Sequence, residues 1–152
     1  MPQWKIWDDI RTGVARTVMT VPTTTIHLCP LYTEISPLIT PCLDQSFGPS
    51  AVVILADHDR SETAVDLLRT FQRLGVPAEL KQIADLWNPQ GLEPLLQQLV
   101  DAHQGCNLLL NLSSGMTPVA MAAARFFMNQ DLPVYQVNPE NDQLVWLSPP
   151  DR

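Results

Sequence analysis

A strand that leads into a helix through one small polar turn is the feature that most constrains this fold. Residues 108–112 are mostly apolar and of strand length, and a Ser-Ser-Gly turn follows them. We expect Thr117 to cap the next helix, and Pro118 suits its first position because no N–H is needed there. The segment therefore predicts a buried strand, a tight turn and a helix N-terminus.

The same turn predicts an anion-binding site. Unpaired backbone N–H groups gather at a helix N-terminus, where the helix dipole adds about half a positive charge. Ser113 and Ser114 add hydroxyl groups, and Gly115 permits a close backbone approach. The alternative is an ordinary strand-to-helix turn that binds nothing. The turn matches neither GxGxxG nor GxxxxGK[ST], so it gives no support to those nucleotide-binding motifs.

Composition limits the partners of this chain. Its 152 residues suffice for one domain with a substantial core. The net charge of −7, with only two lysines, argues against binding to nucleic-acid polymers, but a small phosphorylated ligand can be held by backbone N–H groups. The three cysteines lack metal spacing, which favours the cytoplasm, and neither a signal peptide nor an apolar run of about 18 residues is present.

The rest of the chain alternates strands with helices. The pattern predicts strands over residues 23–29, 51–56, 77–84, 107–112, 132–137 and 143–147. It predicts helices over residues 36–44, 61–74, 90–103 and 118–130. A short turn before the last strand implies an antiparallel hairpin. The predicted fold is α/β: a Rossmann-like, doubly wound, mostly parallel six-stranded sheet with a C-terminal antiparallel hairpin strand.

The N-terminal residues differ from the rest of the chain in the spacing of their apolar residues. Residues 1–23 predict an amphipathic helix and linker, and residues 24–152 the Rossmann-like domain. One interpretation of the helix is that its apolar stripe docks on this domain or on a second copy. The other notes Trp4 and Trp7, which suit a membrane interface or the link to an effector or anchor segment outside this chain.

Ligands of doubly wound sheets bind at the carboxyl ends of the strands, where the strand order reverses. This rule brings the loop after the first strand beside the Ser-Ser-Gly turn. In that loop, Tyr32 is suited to stack on a base and Glu34 to accept a hydrogen bond from a base amino group. The candidate ligand-binding residues are Leu31, Tyr32, Thr33, Glu34, Asn111, Ser113, Ser114, Gly115, Met116 and Thr117.

No catalytic group, metal site or cofactor is predicted. Asp57, His58 and Asp59 are adjacent, and neighbouring side chains rarely point at one ion, so we expect a solvated loop there. His27 alternates with apolar neighbours and is expected on a face of the sheet. Arg125, about two turns into the fourth helix, is a candidate for a subunit contact or an ion pair.

The segment Asn111-Leu112-Ser113-Ser114-Gly115-Met116-Thr117-Pro118 resembles the motif of CARF domains, the CRISPR-associated Rossmann-fold sensors of type III systems. That family often shows Asn-Leu-Thr-Gly-Gly-Thr-Lys here. Asn111, Leu112 and Gly115 match, Ser113 stands for the threonine, and Ser114 replaces a glycine. Met116 and Thr117 stand where the family has Thr-Lys. Residues 26–34 resemble the family's first ligand-binding loop, and the likeness covers about residues 24–148.

The resemblance implies a homodimer that binds a cyclic oligoadenylate, most often cyclic tetra-adenylate, across its two-fold axis and thereby controls an antiviral effector. Some relatives also cleave the ring without a metal, with a basic residue near the turn. Thr117 occupies that place here, which favours binding over catalysis. Three interpretations stay open: a sensor from a larger protein, including a membrane-anchored one with this domain in the cytoplasm; a stand-alone ring nuclease; or an unrelated α/β module for a phosphorylated metabolite.

Overall fold

The computed structural model describes residues 24–44 and 46–150. The strands of this part of the chain are β1 (Thr25–Pro30), β2 (Ala51–Ala56), β3 (Ala78–Gln82), β4 (Asn107–Asn111), β5 (Val134–Val137) and β6 (Leu144–Ser148). Its α-helices are α1 (Ser36–Ile39), α2 (Ser61–Arg73), α3 (Leu92–Ala102) and α4 (Pro118–Asn129). None of the helices in these described ranges is long and apolar enough to cross a membrane.

The described strands form one sheet in the order β3-β2-β1-β4-β5-β6. β1 lies at its centre, where Leu28 pairs in parallel with Val53 of β2 and with Leu110 of β4. β5 also runs parallel to β4, and among the described strands only the last pair, β5 with β6, is antiparallel. The fold predicted from the sequence, a doubly wound sheet with a C-terminal antiparallel hairpin strand, is therefore confirmed.

Helices cover both faces of the central strands, which explains why these strands are apolar throughout. On one face the core includes Leu28, Leu110 and residues of α3 and α4 such as Leu96 and Phe127. On the other face, alternate residues of the strands pack with α1 and α2 in a second buried cluster.

The structure differs from the sequence prediction in local detail. The helix predicted over residues 36–44 is divided into α1 and a 3₁₀ turn at Thr40–Leu43 that contains Pro41, because a proline lacks the N–H that an α-helix continues with. The third strand is shorter than predicted, at Ala78–Gln82. The amphipathic helix predicted within residues 1–23 lies outside the described residues.

His27 lies on a face of the sheet, as the sequence predicted, and it is almost fully buried. Its Nε2 lies 2.6 Å from the Phe47 carbonyl oxygen and its Nδ1 2.7 Å from the Tyr135 hydroxyl. Since a carbonyl only accepts, Nε2 carries the proton and Nδ1 accepts from Tyr135. Burial lowers the pKa of His27 to about 4, against the smaller raising effects of the Phe47 carbonyl and the Asp44 carboxylate. The histidine is thus a neutral structural group.

Candidate ligand-binding site

The two loops that the sequence singled out lie side by side. β1 and β4 are adjacent and parallel, so the loop of residues 31–34 and the turn of residues 112–117 leave the same edge of the sheet. From β1 the chain continues to β2 on one side, and from β4 it continues to β5 on the other. The loops therefore flank the point where the strand order reverses, which is where doubly wound folds form their ligand crevice.

Ser114 joins the two loops. Its side chain is fully buried, and its Oγ accepts a hydrogen bond of 2.7 Å from the backbone N–H of Tyr32. The carbonyl oxygen of Ser114 accepts from the N–H groups of Thr33 and Glu34, at 3.1 and 3.0 Å. The hydroxyl of Thr33 donates to the same oxygen. Ser114 therefore holds the position of the first loop from inside the protein.

Asn111 and Ser113 fix the turn to its other neighbours. The buried Asn111 side chain donates to the Pro37 carbonyl at 3.1 Å and accepts from the N–H of Ser113 at 2.9 Å. The Ser113 hydroxyl accepts from the N–H of Val137 at the end of β5, at 2.8 Å. Leu31, also predicted in the site, is fully buried in the core on the α2 side. These contacts make the turn a rigid connection between strands.

The N-terminus of α4 is capped as the sequence predicted, but its amide groups are not free. Thr117 Oγ1 accepts from the N–H of Ala120 at 3.1 Å, and Pro118 occupies the first turn. The N–H of Val119 donates to the Leu86 carbonyl at 3.1 Å. The expectation that unpaired N–H groups of the helix itself face an anion is therefore wrong, because protein oxygens already accept from them.

Unpaired amide groups occur instead in the turn before the helix. Within the described part of the chain, the backbone N–H groups of residues 114–117 donate to no protein acceptor. Gly115 is half-buried here, and Met116 is 50% exposed. Across from this turn, the exposed side chains of Thr33 and Glu34 belong to the other loop. Consecutive free amide groups beside an exposed polar loop form a place where an anionic ligand can bind.

The sequence interpretation missed a third contributor, the segment after β2. Asp57 is buried, and both of its carboxylate oxygens accept from Nη1 of Arg60 at 3.0 Å. The Arg60 guanidinium lies over the Tyr32 ring, with its carbon 4.5 Å from the ring centroid. Only His58 and Asp59 match the expected solvated loop. The available signal was position, since this segment leaves the same edge of the sheet as the two predicted loops.

Tyr32 is the residue around which these contacts meet. Its ring makes an edge contact with Trp87, at 5.8 Å between centroids, and Trp87 is 56% exposed. A Cβ on Gly115 would lie 2.7 Å from Cδ2 of Tyr32, and Gly115 has a φ of +145°. Glycine is therefore required at position 115 for both space and backbone conformation. Because Arg60 covers one face of the ring, Tyr32 has at most one face for a base.

A metal centre is not indicated by the residues that the structure describes, since no three His, Cys, Asp or Glu side chains among them converge on one point.

Three solved structures share the fold of this chain, and two of them are described with a cyclic oligoadenylate. VC1899 from Vibrio cholerae superposes with a TM-score of 0.74 at 21% identity, over 84% of this chain and 34% of that protein. Can2 from Sulfobacillus thermosulfidooxidans, solved in complex with cyclic tetra-adenylate, superposes with a TM-score of 0.70 at 17% identity, over 84% of this chain and 36% of that protein. A type III CRISPR defence DNA nuclease activated by cyclic oligoadenylate superposes with a TM-score of 0.68 at 18% identity, over 95% of this chain and 26% of that protein.

Can2 and the type III CRISPR nuclease are CARF-domain proteins. This chain shares the Rossmann-like fold of those domains. It spans between 26% and 36% of the length of these three structures. No protein-family model matches the chain, and no curated protein matches it. The shared fold places the Ser-Ser-Gly turn and the loop after β1 at the point where β1 and β4 end.

Proposed function

We propose that this chain is a CARF sensor domain that binds a cyclic oligoadenylate, first of all cyclic tetra-adenylate, and controls an effector of type III CRISPR defence. The observation that carries the proposal is the rigid pair of loops at the carboxyl ends of β1 and β4. One loop offers the free amide groups of residues 114–117 to phosphates, and the other offers the exposed Thr33 and Glu34 to bases. Can2, which shares the fold, was solved with cyclic tetra-adenylate.

The net charge of −7 is compatible with this anionic ligand. Backbone amide groups attract a phosphate through local dipoles, so they need no large positive surface. The same reasoning separates the proposed ligand from long RNA or DNA, whose affinity depends on many lysine and arginine contacts to phosphates. We therefore propose a small cyclic ligand and no polymeric one.

Binding without cleavage is the favoured form of this proposal. Thr117 stands where the motif of the family has lysine, and the structure buries Thr117 and uses its hydroxyl as the cap of α4. A threonine in that position supplies no positive charge to a phosphate in a transition state. We accordingly propose a sensor and assign no catalytic residue.

A homodimer is the proposed binding state, because a surface next to the turn is apolar and exposed. On α4, Met121 and Met128 are 59% and 41% exposed and lie seven residues apart, on the same side of the helix as the exposed Arg125. Met116 continues this surface into the turn. A two-fold contact along this surface places two copies of the turn together, and a ring of four identical nucleotides meets the same groups in both.

Localisation in the cytoplasm is part of the proposal, and the free state of all three cysteines is consistent with it. We also propose that this domain acts through an effector joined to it, including a membrane-anchored one.

Titration calorimetry with cyclic tri-, tetra- and hexa-adenylate tests the proposal. We expect tight binding of the tetra-adenylate, with one ring for two chains, and chromatography should recover the ring intact. A linear product in the recovered material would identify a ring nuclease. If none of the three rings binds, the sensor assignment is wrong, and the site belongs to a different phosphorylated ligand.

A further inference from the structure

The guanidinium of Arg60 is positioned by two independent contacts. Its Nη1 donates to both oxygens of Asp57, whose side chain is 8% exposed, and its Cζ lies over the ring of Tyr32, 4.5 Å from the centroid. In the described part of the chain, Nε and Nη2 of Arg60 have no acceptor. The Arg60 side chain remains 22% exposed, so it is held on one side and accessible on another.

Other positive charges of the described chain are placed differently. Arg69 pairs with Asp66 on the exposed side of α2, and Lys81 pairs with Glu79 on β3. Arg125 lies on the outer side of α4 with the exposed methionines. Arg60 alone, among the described lysines and arginines, contacts a residue of the loop after β1.

We propose that Arg60 binds a phosphate of the cyclic oligoadenylate through Nε and Nη2. This inference rests on the proposed function and names a residue that supplies positive charge to the ligand. A guanidinium held by a buried carboxylate loses little freedom on binding, and its fork of N–H groups fits the oxygens of a phosphodiester. Arg60 thus supplies the positive charge to the phosphate that Thr117, in the position of the family's lysine, lacks.

The test compares variants by calorimetry with cyclic tetra-adenylate at several salt concentrations. Arg60→Gln removes the charge, and we expect the Kd to rise at least about tenfold, the size of a lost hydrogen bond to a charged group. The affinity should also depend less steeply on salt, since one ionic contact to phosphate is lost. Arg69→Gln removes an equal charge from the outer side of α2, and its affinity and salt dependence should match the wild type.

Removing Arg60 alone leaves the buried Asp57 carboxylate unpaired, which can destabilise the fold. The double variant Asp57→Asn with Arg60→Gln removes both charges and keeps the possibility of a hydrogen bond between the two side chains. It should melt closer to the wild type than Arg60→Gln does and still show the weaker, less salt-dependent binding. Arg60→Lys should retain the salt dependence with intermediate affinity, because it keeps the charge without the fork.

The outcomes separate the two proposals. If the wild type binds none of the cyclic oligoadenylates, the proposed function fails and takes this inference with it. If the wild type binds and the folded double variant has the same affinity and salt dependence, only the role of Arg60 is overturned. A weaker affinity with an unchanged salt dependence also overturns it, since that result means that Arg60 acts only by supporting Tyr32.

Discussion

The hydrogen bond between the two loops gives the sharpest prediction for this site. Ser114→Ala removes the Oγ that accepts from the Tyr32 N–H at 2.7 Å, at a position with 0% exposure. Because this hydrogen bond is only partly buried, a Tyr32 N–H left without an acceptor costs about 1 kcal/mol, the lower end of the range for a buried donor. For a domain of this size, that loss lowers Tm by roughly 2–4 °C.

The consequence for binding follows from what stays in place. The Ser114 carbonyl still accepts from Thr33 and Glu34, so the loop remains attached there, whereas the Tyr32 N–H loses its acceptor. We expect a several-fold higher Kd for cyclic tetra-adenylate, because the ligand must then order Tyr32 on binding. Thermal unfolding and calorimetry on the same preparation measure both effects.

A matched control is present at the opposite end of β1, the strand that leads into Tyr32. There the Ser50 hydroxyl accepts from the Thr25 N–H at 3.0 Å, at an exposed position. Ser50→Ala removes the same type of hydrogen bond far from the loops, so its Kd should equal that of the wild type. Equal losses of affinity in both variants would show a general effect of stability, and unchanged Tm and Kd in Ser114→Ala would refute the reasoning.

Three further predictions concern other parts of the molecule. Gly115→Ala should weaken ligand binding because its Cβ displaces Tyr32, whereas Gly75→Ala, also at positive φ but with no atom near its Cβ, should not; calorimetry compares them. Met121→Glu should convert the proposed dimer to a monomer in light scattering, and Leu74→Glu at the C-terminal end of α2, where Leu74 is 50% exposed against 59% for Met121, should not. Folding lowers the pKa of His27 from 6.5 to about 4, so between these pH values the unfolded chain binds a proton that the folded chain does not. Urea unfolding should therefore show a free energy of unfolding about 2 kcal/mol lower at pH 5 than at pH 7. His27→Gln should lose this contribution to the pH dependence.

Local patterns were sufficient for most of the fold. Apolar runs of strand length, the cap at Thr117 with Pro118 and the short turn before β6 each depend on neighbours within a few residues. Alternation of strands and helices then restricts the topology, because crossovers between parallel strands are right-handed. The same restriction on topology predicted that the loop after β1 and the Ser-Ser-Gly turn lie side by side.

Tertiary structure decided how the residues of the site are used. Ser114 Oγ and the Tyr32 N–H are 82 positions apart in the chain, and no local pattern predicts that this serine points inward. The Leu86 carbonyl accepts from the Val119 N–H of α4, and Arg60 contacts Tyr32 from the segment after β2. Both contacts also join residues that are far apart in the sequence. Sequence periodicity reports which face of an element is apolar, whereas a hydrogen bond or a cation–π contact depends on the distance between atoms of different elements. The sequence by itself thus determined the architecture and the edge of the sheet that carries the candidate site, and the packed structure determined which groups of that site remain available to a ligand.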